Sequence, residues 1–225
     1  MTAIAVKLHK IHNDIRQAEL DAQREESFVQ LLAVSKTRPA EDIIEAYQAG
    51  QRQFGESYLQ EALIKQKQLS CYQICWHFIG PIQSNKTRQI AAHFSWVHSV
   101  DRIKIAKRLS EQRPEKLPPL NICLQVNISN EQSKSGILLD ELAQAVEQVS
   151  TLANLKLRGV MAIPQPATDY EQQCKPYRQL FQAVKQLNKP ELTTFSFGMT
   201  GDLKGAIAEG ATMVRVGTAL FGARI

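Results

Sequence analysis

Apolar and polar positions follow two alternating periods along the chain. Ile4, Leu8, Ile11 and Ile15 are spaced four, three and four apart, with His9, Lys10, Asn13 and Asp14 between them, which predicts an amphipathic helix with a narrow apolar stripe. Leu31 to Val34 is an apolar run too short for a helix, and Pro39 restarts the chain, so a buried strand ending near a helix N-terminus is predicted there. Residues 39–49 read as a helix with acidic residues in the first turn and Gly50 as the stop. Further strands are predicted at Gln53–Glu56, Ile74–Ile79, Trp96–Val100, Asn121–Ile128, Leu155–Ile163, Thr194–Phe197 and Met213–Gly217. The helices between them are a polar one through about Lys67, residues 84–94 capped by Ser84, a helix capped by Asp101 and running to about Gln112, Leu138–Leu152, Tyr170–Leu187 and residues 201–208.

Strict alternation without a composition break, a repeat or a linker predicts a parallel sheet with helical crossovers. The best match is an α/β single-domain (β/α)8 TIM barrel over residues 1–225 with an extra N-terminal helix, somewhat shorter than the ~250 residues typical of that fold. A doubly wound open sheet is the alternative.

Composition narrows the class. An apolar fraction of 44% excludes disorder, and a net charge of +5 spread along the chain suits an anionic small ligand better than a nucleic-acid groove. No window approaches the ~18 apolar residues of a membrane span, and the first helix lacks the build of a signal peptide, so a soluble, cytoplasmic protein without a membrane partner is expected. Cys71, Cys75 and His77 have a spacing that matches no standard zinc site, so no metal is expected, and the four cysteines read as reduced thiols.

Candidate chemistry falls at strand ends. Period two puts Leu32, Val34 and Lys36 on one face, so an apolar face ends in a primary amine at the edge where barrels build active sites. Gly198, Thr200 and Gly201 after Ser196, and Gly217 with Thr218 one strand later, form two small-residue corners of the kind that present backbone N–H groups to a phosphate. The same period turns Arg215 into the barrel, either toward a ligand or into an ion pair with an inward acid. An amine opposite a phosphate cradle implies a phosphorylated aldehyde or a sugar phosphate; pyridoxal phosphate and a Schiff-base aldolase substrate both fit.

The blocks AVSKTRP, FGESYLQEA, WHFIGPIQSNKTR, SVDR, VNISNEQSKSGI, LRGVMAIP and SFGMTGDLKGAIAEGATMVRVGTALFGAR together resemble the pyridoxal phosphate homeostasis protein family, from about Leu31 to Arg224. The resemblance implies a fold-type III barrel like the N-terminal domain of alanine racemase, binding pyridoxal 5'-phosphate (PLP) as a Schiff base on Lys36. It implies phosphate contacts from Ser196, Met199 and Thr200 in the first corner and from Gly217 and Thr218 in the second. His77 and Gly80, on the third-strand corner, are implied to approach the cofactor. Where relatives read G-E-N, this chain has Ser57, which still donates and accepts a hydrogen bond but is shorter than asparagine.

The implied role is vitamin B6 homeostasis and amino- and keto-acid balance, with apo-enzymes or regulatory proteins as partners and no robust catalysis. An arginine near the pyridine nitrogen disfavours its protonation and weakens carbanion stabilisation. Racemases of this fold resemble that arrangement but draw a tyrosine base from a second, all-β domain across a dimer. The chain ends at Ile225 without residues for such a domain, so racemase or lyase activity is the alternative and a monomer is expected. Lys134 reads as a solvated loop lysine, with transient holding of PLP as the sharper alternative, and Lys86 and Lys204 are placed to add positive potential.

Overall fold

The computed structural model describes residues 2–131 and 134–223. Its strands are β1 (Gln30–Val34), β2 (Gln53–Glu56), β3 (Cys75–Phe78), β4 (Trp96–Val100), β5 (Leu120–Val126), β6 (Leu155–Ala162), β7 (Thr194–Ser196) and β8 (Met213–Val216). Between them run α2 (Ala40–Gln48), α3 (Leu59–Gln68), α4 (Thr87–His93), α5 (Ile103–Glu111), α6 (Leu142–Ser150), α7 (Tyr170–Gln186) and α8 (Leu203–Ala208). Helix α1 (Ala3–Asp21) precedes the first strand, and α9 (Thr218–Phe221) follows the last. Each strand pairs in parallel with the next, and β8 returns to β1 with Leu32 opposite Arg215, so the sheet closes into a barrel. That ladder removes the edge a doubly wound sheet would need.

Alternation divides each strand between two environments. Outward residues such as Leu31, Ala33, Phe54, Phe78 and Val214 join Ile43, Ala62, Ile90 and Ile207 of the helices in one continuous buried layer. The opposite face sends Leu32, Val34, Gly55, His77, His98, Ser196 and Arg215 into the barrel. Helix α9 is a single turn, too short to cover the β8–β1 seam. Helix α1 takes that place, packing against α2, α8 and α9 through the stripe of Ile4, Leu8, Ile11 and Ile15. The buried Glu19 carboxylate accepts the Ser27 and Val29 amides at 3.0 and 2.6 Å and so fixes the entry into β1.

Several boundaries differ from expectation, each for a local reason. β5 stops at Val126 because the Asn127 side chain turns the chain, donating to the carbonyls of Glu131 and Lys134 at 2.8 and 3.0 Å. Asp101 caps nothing: its carboxylate holds the Arg102 guanidinium at 2.7 Å, and α5 starts without a side-chain cap. Ser84 opens a 3-10 turn, Ser84–Lys86, before α4, and another such turn, Leu139–Glu141, precedes α6. Among the described residues no helix is long and apolar enough to cross a membrane.

Candidate ligand-binding site

The mouth of the barrel is built first by the turn that follows β1. Lys36 stands beyond the strand, in a turn from Ser35 to Arg38 closed by the Arg38 amide on the Ser35 carbonyl at 3.1 Å, and it is half-buried there. Neighbouring groups hold both sides of this turn. The Ser35 hydroxyl donates to Glu56 Oε1 at 2.7 Å, and the Thr37 amide donates to Glu61 Oε1 at 2.6 Å. Lys65 Nζ lies 2.7 Å from the Ser35 carbonyl and 2.8 Å from Glu56 Oε1, and it also bonds Glu61. Arg38 donates to the carbonyls of Gly222 and Ala223, tying the turn to the end of α9.

Two corners share this mouth. After β7, Gly198 has φ +80°, and a Cβ there would lie 2.6 Å from the Ala206 Cβ, so both conformation and space require glycine. The Met199 amide, implied above as a phosphate donor, is taken: it donates to Asp202 Oδ1 at 2.6 Å, while Tyr177 donates to Asp202 Oδ2 at 2.6 Å. The amides of Thr200 and Gly201, and the hydroxyl of the exposed Thr200, meet no partner among the described residues. At the second corner, a Cβ on Gly217 would come 3.2 Å from the Val34 carbonyl oxygen, so the end of β8 packs closely on β1. That contact brings exposed Thr218, whose amide also lacks an acceptor among the described residues, to the Lys36 side of the mouth. Uncommitted amides, a hydroxyl and a nearby lysine suit a phosphate with an electrophile at its other end.

Below the mouth lies a buried polar chain. Arg215 Nη1 donates to the Ser196 carbonyl and, at 2.9 Å, to Ser196 Oγ; its Nη2 donates to the Ala162 carbonyl at 3.0 Å. Ser196 Oγ is 2.8 Å from His98 Nδ1, His98 Nε2 is 2.9 Å from His77 Nδ1, and His77 Nε2 is 3.4 Å from Cys75 Sγ. A guanidinium only donates, so Ser196 Oγ accepts from it, and the acceptor within reach of the serine proton is His98 Nδ1. His98 then donates through Nε2 to His77, and His77 donates to sulfur. In this arrangement, with the serine proton given to His98 Nδ1, both rings carry their own proton on Nε2. Burial drives His77 down to about 3. His98 is lowered well below its ordinary value by burial, then by His77 and Arg215. Both rings are neutral at physiological pH.

These contacts bear on three expectations. His77 lies within β3 rather than at its corner, fully buried, with both ring nitrogens engaged by protein groups. The Ser196 hydroxyl is likewise committed to His98 and Arg215. Arg215 meets carbonyls and a hydroxyl, with no carboxylate partner among the described residues, so the ion-pair alternative fails. Gly80 serves close approach, since a Cβ there would lie 2.1 Å from the carbonyl oxygen of half-buried Ser57.

The remaining lysines stand apart from the corners. Lys134 pairs with Glu131 at 2.6 Å and reaches the Ile163 carbonyl at 3.3 Å, bridging the loops after β5 and β6. Lys204, on α8, lines a small hollow with Asp21 and Ala22 at the α1 end, and Lys86 ends the 3-10 turn before α4. Arg224 lies outside the described residues. Among the described residues no group of three His, Cys, Asp or Glu side chains could hold a metal ion. A hollow of about 1050 Å3 lies where the strands begin, lined by Phe28, Phe181, Phe195 and Thr212, and none of the candidate residues reaches it.

Sequence inspection missed His98 and the Glu56–Lys65–Glu61 group. Period two through Trp96–Val100 already points His98 inward, and Glu56 at the end of an apolar strand was itself a signal.

A closed barrel with a lysine turn after its first strand and glycine corners after its seventh and eighth is the barrel of the alanine racemase N-terminal domain class. The family model described as "Alanine racemase, N-terminal domain" matches residues 6–225. Within that class, the chain belongs to the pyridoxal phosphate homeostasis protein family. It is 57% identical over 224 residues to the protein of that name from Pseudomonas aeruginosa, covering 100% of this chain and 97% of that protein. The Escherichia coli K12 protein of the same name is 49% identical over 229 residues, covering 100% of this chain and 98% of that one. PipY of Synechococcus elongatus, solved without PLP, superposes with a TM-score of 0.86 at 39% identity, covering 97% of this chain and 100% of PipY. The PipY structure with PLP bound gives 0.82 at 40% identity, with the same coverage.

Proposed function

We propose that this protein binds PLP reversibly and serves PLP homeostasis, with Lys36 as its covalent tether. The observation that carries this is the full-length match to PipY, solved with PLP bound, in a chain whose own barrel mouth presents a lysine beside uncommitted amides. The Lys36 amine condenses with the ligand aldehyde, forming a C=N bond and releasing water; water reverses the step, and a competing free amine displaces the lysine and leaves with the ligand as its own C=N adduct. The amides of Thr200, Gly201 and Thr218 and the Thr200 hydroxyl receive the phosphate, with Gly198 and Gly217 giving the backbone its close approach. Ser57 lies at the neighbouring strand end as a side-chain contact. With the ligand's ring nitrogen over Arg215, this cation under the mouth would disfavour protonation there, and so favour holding the ligand over carbanion chemistry.

The test is the visible absorbance of the PLP-loaded protein before and after borohydride, followed by peptide mapping. Wild type retains label on Lys36, and Lys36→Ala loses both absorbance and label; label retained at Lys134 instead would move the tether. Relatives carry the name of a homeostasis protein, not of an enzyme. We extend this to the absence of robust turnover here. Fast solvent deuterium exchange at the α-carbon across a panel of amino acids would overturn that. A monomer in the cytoplasm that hands PLP to apo-enzymes completes the proposal, checked by light scattering of holo- and apo-protein and by PLP transfer to an acceptor apo-enzyme.

A further inference from the structure

The turn carrying Lys36 is strained, and the groups that hold it sit outside the barrel. Thr37 has φ +61°, the left-handed region that a β-branched residue rarely enters, so its surroundings must over-determine it. Lys36 is flanked by Ser35 and Thr37, and both are bonded by one set of charges, with Glu56 and Lys65 buried and Glu61 half-buried. Glu56 Oε1 takes the Ser35 hydroxyl at 2.7 Å, Lys65 takes the Ser35 carbonyl at 2.7 Å, and Glu61 Oε1 takes the Thr37 amide at 2.6 Å. Lys65 joins the two carboxylates.

This set is a poor device for stability alone. It contains two carboxylates and one ammonium, and Glu56 Oε2 is buried without a hydrogen-bond partner among the described residues. Burial pushes the Glu56 carboxyl up, against Lys65 and Ser35, which hold it down. What the set does provide is direction. A lysine side chain is a flexible four-carbon stem, so the aim of its amine depends on how firmly its own backbone is fixed.

We infer that Glu56, Lys65 and Glu61 are positioning residues that clamp the Ser35–Thr37 backbone from behind and thereby aim the Lys36 amine at the barrel mouth. The inference rests on Lys36 being the PLP tether. Glu61 is the arm to test, because its contact with Thr37 needs only an acceptor oxygen. Glutamine keeps that oxygen and alanine removes it.

Two measurements on the full-length protein decide it. In the ligand-free protein, deuterium uptake of the peptide containing Ser35 to Arg38 reports the clamp directly. In a PLP titration, absorbance reports affinity, and borohydride with peptide mapping reports the residue labelled. Glu61→Ala is expected to speed exchange in that peptide and weaken PLP binding about tenfold, with the label still on Lys36, while Glu61→Gln restores most of both. Should Glu61→Ala melt below the assay temperature, Ser35→Ala, which removes only the hydroxyl on Glu56, carries the same two expectations. Unchanged exchange and affinity in the alanine variant, or a glutamine variant as impaired as alanine, would overturn the clamp and leave the tether standing. Label that survives in Lys36→Ala removes the tether and the clamp together.

Discussion

Two buried polar networks lie on opposite faces of the same sheet, and they handle charge in opposite ways. Inside the barrel a cation, Arg215, bonds among the described residues only neutral groups: two carbonyls, the Ser196 hydroxyl and, through it, two histidines that burial keeps unprotonated. Outside, behind β1 and β2, two carboxylates and an ammonium face each other, with Glu56 fully buried and Lys65 nearly so. The inner network has direction when the serine proton goes to His98 Nδ1, because Arg215 only donates at its start and each later hydrogen bond follows from that proton. The outer network hangs on one shared cation, because the two carboxylates repel each other and both pair with Lys65. Loss of one member should therefore do different things on the two faces: disorder on the inside, an uncompensated charge on the outside.

The sharpest break is Lys65→Met. It leaves Glu56 and Glu61 without their shared cation in a buried setting, and unfolding in urea is expected to lose about 3–5 kcal/mol of stability. A loss below about 1 kcal/mol would mean that Lys65 is not the cation that holds the outer network together.

Acid tests the inner network next. The unfolded state binds a proton at each histidine near pH ~6.5, whereas folded His77 resists until about 3 and His98 is also depressed. Stability from these rings is complete above the unfolded value and is lost as pH falls toward the folded ones. Each histidine contributes a slope of about 1.4 kcal/mol per pH unit. Between about pH 6.5 and 5 the two give the steepest part of the pH dependence of urea midpoints. His12, lowered by burial and by His9, adds in the same direction, and Glu56, raised by burial, acts against them. His98→Gln should therefore remove a large share of the slope. An unchanged slope in that variant would place the titration elsewhere.

Arg215→Met comes third. It strands neutral acceptors only, so about 1–3 kcal/mol is expected, less than for Lys65→Met although Arg215 is equally buried. Reversal of that order would remove the distinction between the two faces.

Much of this architecture was legible in the periods of the chain. The four-three-four spacing of Ile4, Leu8, Ile11 and Ile15 gives α1, and the short apolar runs give the strands, because each must bury one face against something. Closure was legible only as a match in length and alternation; the β8–β1 ladder that proves it joins residues nearly two hundred positions apart. The glycine corners could be read because glycine marks close approach. Which amide is available could not, because the Asp202 carboxylate that occupies the Met199 amide is itself held by Tyr177, brought over from α7. Lys36 was read at the end of a strand and stands in a turn, because its placement depends on Glu61 and Arg38 contacts that period two does not encode.

The smallest effect bears on which end orders the inner chain. Cys75 Sγ is 3.4 Å from His77 Nε2, a weak contact with a weak acceptor, so Cys75→Ala should cost less than about 1 kcal/mol. Nitrogen-15 NMR should show both rings as the Nε2–H tautomer, and that pattern should survive Cys75→Ala, because the order is imposed from the Arg215 end. Ser196→Ala removes the hydroxyl that passes the order on, so His98 Nδ1 loses its donor and the two tautomers of the pair become free to exchange. If the cysteine variant scrambles the tautomers and the serine variant does not, the direction runs from sulfur inward, and Arg215 is a bystander to the histidines.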